Sequence, residues 1–557
     1  MATLSSRPVV RVAMSADELA PPVVPAAEDD AALPSEPGAS RNEANAPAWG
    51  TRPALKGWLA YGLATLTGVL YFLGFPGMDV WPLSLVALVP LLVALRGQRT
   101  RRATGLGWMA GFTMNMLGFY WLTPMLEQFA GLPMAVAAVG ATLVCGYQAG
   151  RIALCGWLYG RAASRGWPAE AVFAGAFAVS ELVYPLLFPW YFGASVHNAL
   201  PLLQVAELGG PILVGLVLVT PNLALAHVVE HKLFGAPLRR AVLVVGASVP
   251  LLAAGYGWIR IGQVRAEAEQ GEAVTVGLVQ LNQPLVKTNA EALASHREQT
   301  KKLAEADVDL VVWSEAALPA LAWEQNYAQV VADRATKDLG VPTVVGMVVF
   351  QPLPKDHPQK FGATNSAVMT DASGAVSGRY DKHHLLMFGE YLPFGERFPV
   401  LHSLSPNSGN FMAGKTVEPL SLGEHRLAPS ICYEDILPGF FNDVVRATDP
   451  HLLLNITNDA WFLDTTEPWI HFALAKLRSV EQRRYLVRAT NSGVSGIIDA
   501  TGAVVTHGGT FVAENIVGEA RYMTGKTVYR FLGDKLWWAL AVVMLGLCFV
   551  RRRRSGS

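Results

Sequence analysis

Charge is scarce in this chain. Only 16% of its 557 residues are Asp, Glu, Lys or Arg, against about 25% in a soluble protein. The deficit, with a mean hydropathy of +0.30, excludes an ordinary soluble globule and points to a membrane protein. Neither sign prevails: Lys+Arg and Asp+Glu are 44 each, so no global field draws the chain to nucleic acid. Cysteine is scarce too. Four cysteines, with no CxxC pair and no Cys/His cluster, argue against zinc and against a disulfide scaffold; no metal or cofactor is expected. Residues 1–50 lack the apolar core of a signal peptide. Rich in Ala, Pro, Glu and Ser, they are too polar to bury a core and are expected to form a disordered tail.

Long apolar runs are what the chain does have. Seven, at roughly 57–75, 80–95, 103–126, 132–160, 169–190, 200–229 and 240–260, are followed by an eighth at 536–550. Each can cross a hydrocarbon core of about 30 Å as a helix, the second being near the lower length limit. Basic residues occupy alternate loops: Arg52 and Lys56; Arg96, Arg99, Arg101 and Arg102; Arg161 and Arg165; Lys232, Arg239 and Arg240; and Arg551 to Arg554. Positive loops stay inside. Eight spans then put both termini in the cytoplasm and the soluble insert between spans seven and eight outside. The expected organisation is a cytoplasmic tail over 1–50, a seven-helix membrane domain over 51–262, a soluble domain over 263–530, and a last span with a basic tail over 531–557. Glu181 and Glu207 lie inside spans, where a carboxylate facing lipid is costly; hydrogen bonds between helices would satisfy them. Phe188-Pro189-Trp190-Tyr191 reads as an interfacial anchor.

The soluble insert alternates strands and helices. Apolar strands are expected at 275–281, 308–314, 343–350, 366–370, 427–432, 451–457, 487–490 and 496–499, and amphipathic helices at 290–306, 327–339 and 469–482. Asp371-Ala372-Ser373-Gly374 is a hairpin turn signal. The pattern predicts a layered α/β sandwich.

Three residues in the insert carry chemistry. Cys432 is the only cysteine outside an apolar segment and ends a strand; it is inert filler, a metal ligand or a nucleophile. Glu315 ends the run Leu310-Val311-Val312-Trp313. Desolvation there would raise its pKa toward that of a general base, although a carboxylate at a helix N-terminus would look the same. Lys382, in Arg379-Tyr380-Asp381-Lys382-His383-His384, could hold a thiolate or an oxyanion, or sit on the surface.

The order strand-Glu, strand-loop-Lys, strand-Cys resembles the nitrilase (carbon–nitrogen hydrolase) superfamily. The resemblance rests on Val312-Trp313-Ser314-Glu315, Tyr380-Asp381-Lys382-His383-His384-Leu385 and Ile431-Cys432-Tyr433-Glu434-Asp435. Phe388-Gly389-Glu390-Tyr391-Leu392-Pro393-Phe394, Asn455-Ile456-Thr457-Asn458-Asp459-Ala460-Trp461-Phe462 and Arg488-Ala489-Thr490-Asn491-Ser492-Gly493 are similar to the apolipoprotein N-acyltransferase family. The resemblance covers residues 57–550. It implies an α-helical membrane domain of eight spans plus a nitrilase-like α-β-β-α sandwich domain. It implies Cys432 as nucleophile, Glu315 as general base and Lys382 as oxyanion stabiliser, supported by Glu390, Tyr433, Glu434 and Asn365. One family feature is missing. The tryptophan often found shortly after the first strand of the domain is absent from Val279 to Asn289, which leaves the lid residues unassigned.

The implied reaction moves an acyl chain from a phospholipid, through a thioester on Cys432, to the α-amino group of a diacylated prolipoprotein. Expected partners are those two lipids and a bacterial inner membrane, with a monomeric enzyme whose catalytic domain faces the periplasm. The stretch 388–414, with Phe388, Phe394, Phe398, Phe411 and Met412, is expected to gate the site. A membrane-bound nitrilase-type amidase would use the same three residues. A transporter or scaffold carrying a dead module would not need them.

Overall fold

The computed structural model describes residues 53–283, 289–353, 360–387, 389–391, 398 and 411–552. The expected N-terminal tail, Phe388, Phe394, Arg553 and Arg554 lie outside the described residues.

Thirteen strands build the insert among the described residues: β1 (Ala273–Gln280), β2 (Leu310–Trp313), β3 (Leu318–Trp323), β4 (Thr343–Pro352), β5 (Phe361–Thr370), β6 (Val376–Asp381), β7 (Leu420–Leu422), β8 (His425–Ile431), β9 (Leu452–Thr457), β10 (Leu486–Thr490), β11 (Gly496–Ile498), β12 (Val504–His507) and β13 (Glu514–Arg521). One sheet runs β13-β1-β2-β4-β5-β6, with β3 beside β4; the other runs β12-β11-β10-β9-β8-β7. The central pairs β1–β2 and β2–β4 are parallel, as are β8–β9 and β9–β10. Strands β2, β9 and β10 are buried along their whole length, as parallel strands covered on both faces are.

Side-chain alternation builds the layers. Leu310 and Val312 turn inward and pack with Leu427, Ile431, Leu454 and Ile456 between the sheets. Val311 and Trp313 turn outward into a second cluster with Leu303, which belongs to the helix Asn289–Glu305. On the far side Ala428 and Leu453 pack with Phe441 and Phe472, from the helices Pro438–Thr448 and Glu467–Gln482. This is the expected α-β-β-α sandwich. The helix expected at 327–339 is instead a single turn, Tyr327–Val330, continued as a π-helical turn, Val331–Thr336.

Three helices of the apolar region are long and apolar enough to cross a membrane: Gly57–Gly74, Ala206–Phe234 and Arg240–Glu269. The other expected spans are shorter, less apolar or broken. Residues 80–95 form a 3-10 turn, Trp81–Leu85, and a short helix, Val89–Leu95. Residues 132–160 form Met134–Gln148 and Gly150–Ala163, joined through Ala149, which keeps helical backbone angles. One further expectation changes here, while the hydrogen bonds expected between helices at Glu207 are found. Trp190 is not an interfacial anchor. It is 1% exposed, because its ring covers the Arg151 guanidinium at 3.2 Å where Arg151 pairs with Glu181. Glu207 is satisfied from two directions: by Arg260 at 3.0 Å from the neighbouring helix and by Arg483 at 2.7 Å from the sandwich. Arg483 also donates to Gln204 and to the Ala500 carbonyl, so a buried polar cluster binds the sandwich to the helices.

The parallel strands bring the ends of β2, β8 and β9 to one edge, where the Glu315 N–H donates across the sheets to the Thr457 carbonyl at 3.4 Å. Gly346 in β4 leaves room for that loop. A Cβ there would lie 2.1 Å from the Ser314 oxygen and 2.9 Å from Glu315 Cα. Gly346→Ala is therefore expected to displace Glu315. Activity should fall at least tenfold, with a loss of about 1–3 kcal/mol in stability as in other overpacked sites, read by turnover and thermal melting in detergent.

Candidate active site

Cys432 opens a 3-10 turn, Cys432–Ile436, directly after β8. Its φ of 56° is left-handed, a conformation that costs a non-glycine residue about 1–2 kcal/mol. The strain persists because Glu434 holds the turn. Glu434 Oε2 accepts from the Ile431 N–H at 2.8 Å and the Tyr380 hydroxyl at 3.0 Å. Its Oε1 accepts from the N–H groups of His383 at 2.7 Å and His384 at 2.9 Å. One buried carboxylate thus ties the cysteine turn to the loop that carries Lys382. Burial raises the Glu434 carboxyl to about 7 against the pull of those donors.

Lys382 follows β6, and its N–H donates to the Asn365 carbonyl in β5. Its Nζ donates to Glu390 Oε1 at 2.9 Å and lies 3.6 Å from Glu315 Oε1. Asn365 Nδ2 bridges the same two carboxylates, at 2.6 Å from Glu315 and 3.2 Å from Glu390. Glu390 Oε2 accepts from the Leu386 N–H at 2.8 Å, and the Phe411 N–H donates to the Glu390 carbonyl. Glu390 therefore anchors the end of the 388–414 stretch to the site. Tyr433 donates its hydroxyl to the Leu385 carbonyl and turns its ring toward Lys382 Nζ, 5.7 Å away. Every sequence-derived site residue is thus in one cluster, Asn365 at its centre.

The electrostatics suit proton transfer. Glu315 Oε2 is buried with no hydrogen-bond partner among the described residues, which leaves it free to take a proton. Burial raises the Glu315 carboxyl, with Lys382 opposing and Glu390 assisting. Burial also pushes the Cys432 thiol well up, and the Glu315 charge adds to this. Burial alone would lower Lys382, but the Cys432 sulfur when ionised, and the Glu390 and Glu315 charges, hold it well above its ordinary value. The resting arrangement is a neutral thiol beside a buried carboxylate and a fixed ammonium. Such a set can deprotonate a thiol as it attacks a carbonyl and stabilise the oxyanion that results.

A second buried network lies behind Cys432. His471 bridges Asp435 at 2.9 Å and Asp459 at 3.0 Å, and Arg488 reaches both aspartates. Asp435 shares the Cys432 turn, and Asp459 follows β9. Burial would lower His471, but the two aspartates raise it to about 10. Asp459, Glu467 and His471 lie close enough to suggest a metal site. The donor set does not fit one: both ring nitrogens of His471 already face carboxylates and Arg488 supplies a further cation.

A cavity of about 300 Å³ adjoins the site, at the small end of ligand pockets. Leu386, Met387 and Tyr433 form one wall; Leu182 and Ile212 from the apolar helices, with Leu186 just beyond the helix Ala169–Val183, form another. It opens between sandwich and helices, beside the loops that carry Lys382 and Cys432.

Comparison with known proteins agrees with this construction. Residues 67–224 match the apolipoprotein N-acyltransferase N-terminal domain, and residues 275–520 the carbon–nitrogen hydrolase family. A curated apolipoprotein N-acyltransferase of Geobacter metallireducens is 30% identical over 88% of this chain and 96% of its own length. The chain belongs to the apolipoprotein N-acyltransferase family. An Azotobacter vinelandii member is 31% identical over 91% of this chain and 97% of its own. The nitrilase-like sandwich expected from the three motifs is therefore shown. Sequence reasoning missed the Asp435–His471–Asp459–Arg488 network. Asp435 stood inside a quoted nitrilase-superfamily motif, and Asp459 and Arg488 inside quoted motifs of the apolipoprotein N-acyltransferase family, but nothing in the spacing pairs them with a helix residue such as His471.

Two outcomes test this geometry. Glu434→Gln places an amide NH2 against N–H donors; stability should fall by about 2–4 kcal/mol, with activity lost in parallel, measured by denaturant melts and turnover. His471 is held protonated in the folded state. It thus stabilises fully below its unfolded pKa, near 6.5, and loses that contribution as pH rises through about 10. The stability gap between wild type and His471→Gln should be largest near pH 6 and shrink toward pH 10.

Proposed function

We propose that this chain is an N-acyltransferase for lipoproteins, working through a thioester on Cys432. Family membership supports the overall reaction. The observation that carries the mechanism is Glu315 Oε2, unpartnered among the described residues, beside a buried neutral thiol and a fixed lysine. As Cys432 Sγ attacks an ester carbonyl of a phospholipid, Glu315 takes the thiol proton. Lys382 holds the oxyanion. The C–O bond breaks, the leaving alkoxide receives the proton from Glu315, and a lysophospholipid departs. The α-amino group of the lipid-modified N-terminal cysteine then attacks the thioester. The N–C bond forms, the C–S bond breaks, and Glu315 accepts the amine proton and returns it to sulfur. Glu390 and Asn365 hold Lys382 and Glu315 in place. Tyr433 and Glu434 hold the loops. No cofactor takes part in this sequence.

Both substrates are lipid-anchored, so the site has to be reached from a bilayer. We assign the cavity between sandwich and helices as that access, its apolar walls taking an acyl chain. In this reading all eight apolar segments cross a bacterial inner membrane, from a cytoplasmic tail over 1–50 through a seven-helix domain over 51–262 to the last span over 531–557. The alternating basic loops place the catalytic domain, 263–530, on the periplasmic side of a monomer. Exclusion of water from the thioester is needed, or the enzyme becomes a phospholipase. Phe398, 52% exposed, lies in the stretch assigned as the gate.

The test is acyl transfer from a defined phospholipid to a synthetic diacylated lipopeptide. Wild type should transfer and Cys432→Ser should not; transfer by Cys432→Ser at the wild-type rate would refute the reading. Because Glu315 must be ionised to act, the acylation rate should rise with pH along a limb above the ordinary carboxylate range. Glu315→Gln should lose that limb and about 10²–10⁴ in rate.

A further inference from the structure

The cavity between sandwich and helices has three carboxylates around it, and they are not equivalent. Glu181 lines it and pairs with Arg151 at 3.2 Å. Glu481, close enough to act on Tyr191 in the cavity wall, pairs with Arg478. Asp534 also lines the cavity and, among the described residues, has no lysine or arginine partner within ion-pair distance; the Arg478 charge reaches it only at longer range. Its Oδ1 accepts from the Tyr529 hydroxyl at 2.9 Å. Its Oδ2 has no recorded donor among the described residues, and lies 3.1 Å from where a Cβ on Gly439, another lining residue, would stand.

The ordinary explanation for an aspartate at this position is helix capping, since Asp534 directly precedes the helix Lys535–Phe549. Its side chain makes no capping hydrogen bond there. A capping role therefore leaves Oδ2 unused. Glu181 adds to the imbalance: its Oε1 is taken by Arg151 and the Phe192 N–H, while its Oε2 is buried without a partner among the described residues. An apolar cavity with an unpaired carboxylate in its wall is built for an amphipathic cation. A carboxylate bordered by apolar surface binds an ammonium by charge-assisted hydrogen bonds that a hydroxyl cannot match.

We propose that Asp534 binds the primary ammonium of a lipid substrate in this cavity. The inference rests on the acyl-transfer reading. Two sources carry that chemistry: the headgroup of an aminophospholipid donor and the α-amino group of the acceptor. Asp534 acts as a specificity determinant, since it selects the substrate rather than taking part in bond making.

The experiment separates the two half-reactions in the full-length protein in detergent. Thioester formation on Cys432 is followed by mass spectrometry with ethanolamine- and glycerol-headgroup phospholipids of the same acyl chains. Release of a preformed thioester by a diacylated lipopeptide is followed separately. If the headgroup is the ligand, Asp534→Asn lowers the ethanolamine-to-glycerol rate ratio about tenfold and leaves aminolysis unchanged. If the acceptor amine is the ligand, aminolysis slows about tenfold and the headgroup ratio holds. Asp534→Glu keeps the carboxylate and should retain most of either selectivity. An unchanged ratio with unchanged aminolysis overturns the proposal; so does a uniform loss across both lipids and both steps, which marks a structural role. An independent arm needs no variant: dodecylammonium should inhibit the wild-type enzyme more strongly than dodecanol, and equal inhibition overturns the proposal. Failure to form any thioester would instead defeat the acyl-transfer reading.

Discussion

Everything at this site depends on one buried carboxylate that makes no direct contact with the reacting atoms. Glu434 receives four hydrogen bonds, two on each oxygen, from Ile431, Tyr380, His383 and His384. Ile431 ends the strand that presents Cys432, whereas Tyr380 lies in β6 just before Lys382 and the His383 and His384 N–H groups follow it. This clamp compensates the left-handed backbone of Cys432, whose carbonyl also accepts from Asn455 Nδ2, and with the Tyr433–Leu385 hydrogen bond it fixes the lysine loop against the cysteine turn. A glutamate suits the position because an ionised carboxylate is purely an acceptor. The His471 network repeats the logic one layer deeper. There a protonated imidazole between Asp435 and Asp459 joins the same turn to the end of β9.

Burial then sets the chemistry. In water a thiol, a carboxylate and an ammonium would titrate independently. Inside this sandwich each depends on the others. The thiol stays protonated and Glu315 becomes a stronger base. Lys382 stays charged because the Glu390 and Glu315 carboxylates face its ammonium. Such a site is quiet until a carbonyl enters. The adjoining cavity is walled partly by the sandwich and partly by the apolar region.

Much of this was legible in the sequence. Glu315 and Cys432 each follow an apolar strand, and their strand-end position is a consequence of parallel β pairing, whereas Lys382 follows the antiparallel edge strand β6. Most of the fully buried strands were found from their apolar runs. The short or edge strands β3, β6, β7, β12 and β13 were not, because a half-exposed edge carries no apolar run. The role of Trp190 was misread for a related reason. Aromatic residues near a span end suggest a lipid interface, and only the fold shows that Arg151 needs covering there. Glu207 likewise pairs with Arg483, far away in the chain, a partner no local pattern can reveal. Asn365 stood out in the sequence only through family likeness, yet it bridges both glutamates.

The most direct measurement is the intact mass of the protein after incubation with a phospholipid and no acceptor. The account predicts one acyl group, lost on adding hydroxylamine and absent in Cys432→Ala, with its site mapped to the peptide containing Cys432. Free fatty acid released with no hydroxylamine-labile acyl group ever present on Cys432, or an acyl group mapped to another residue, would contradict it.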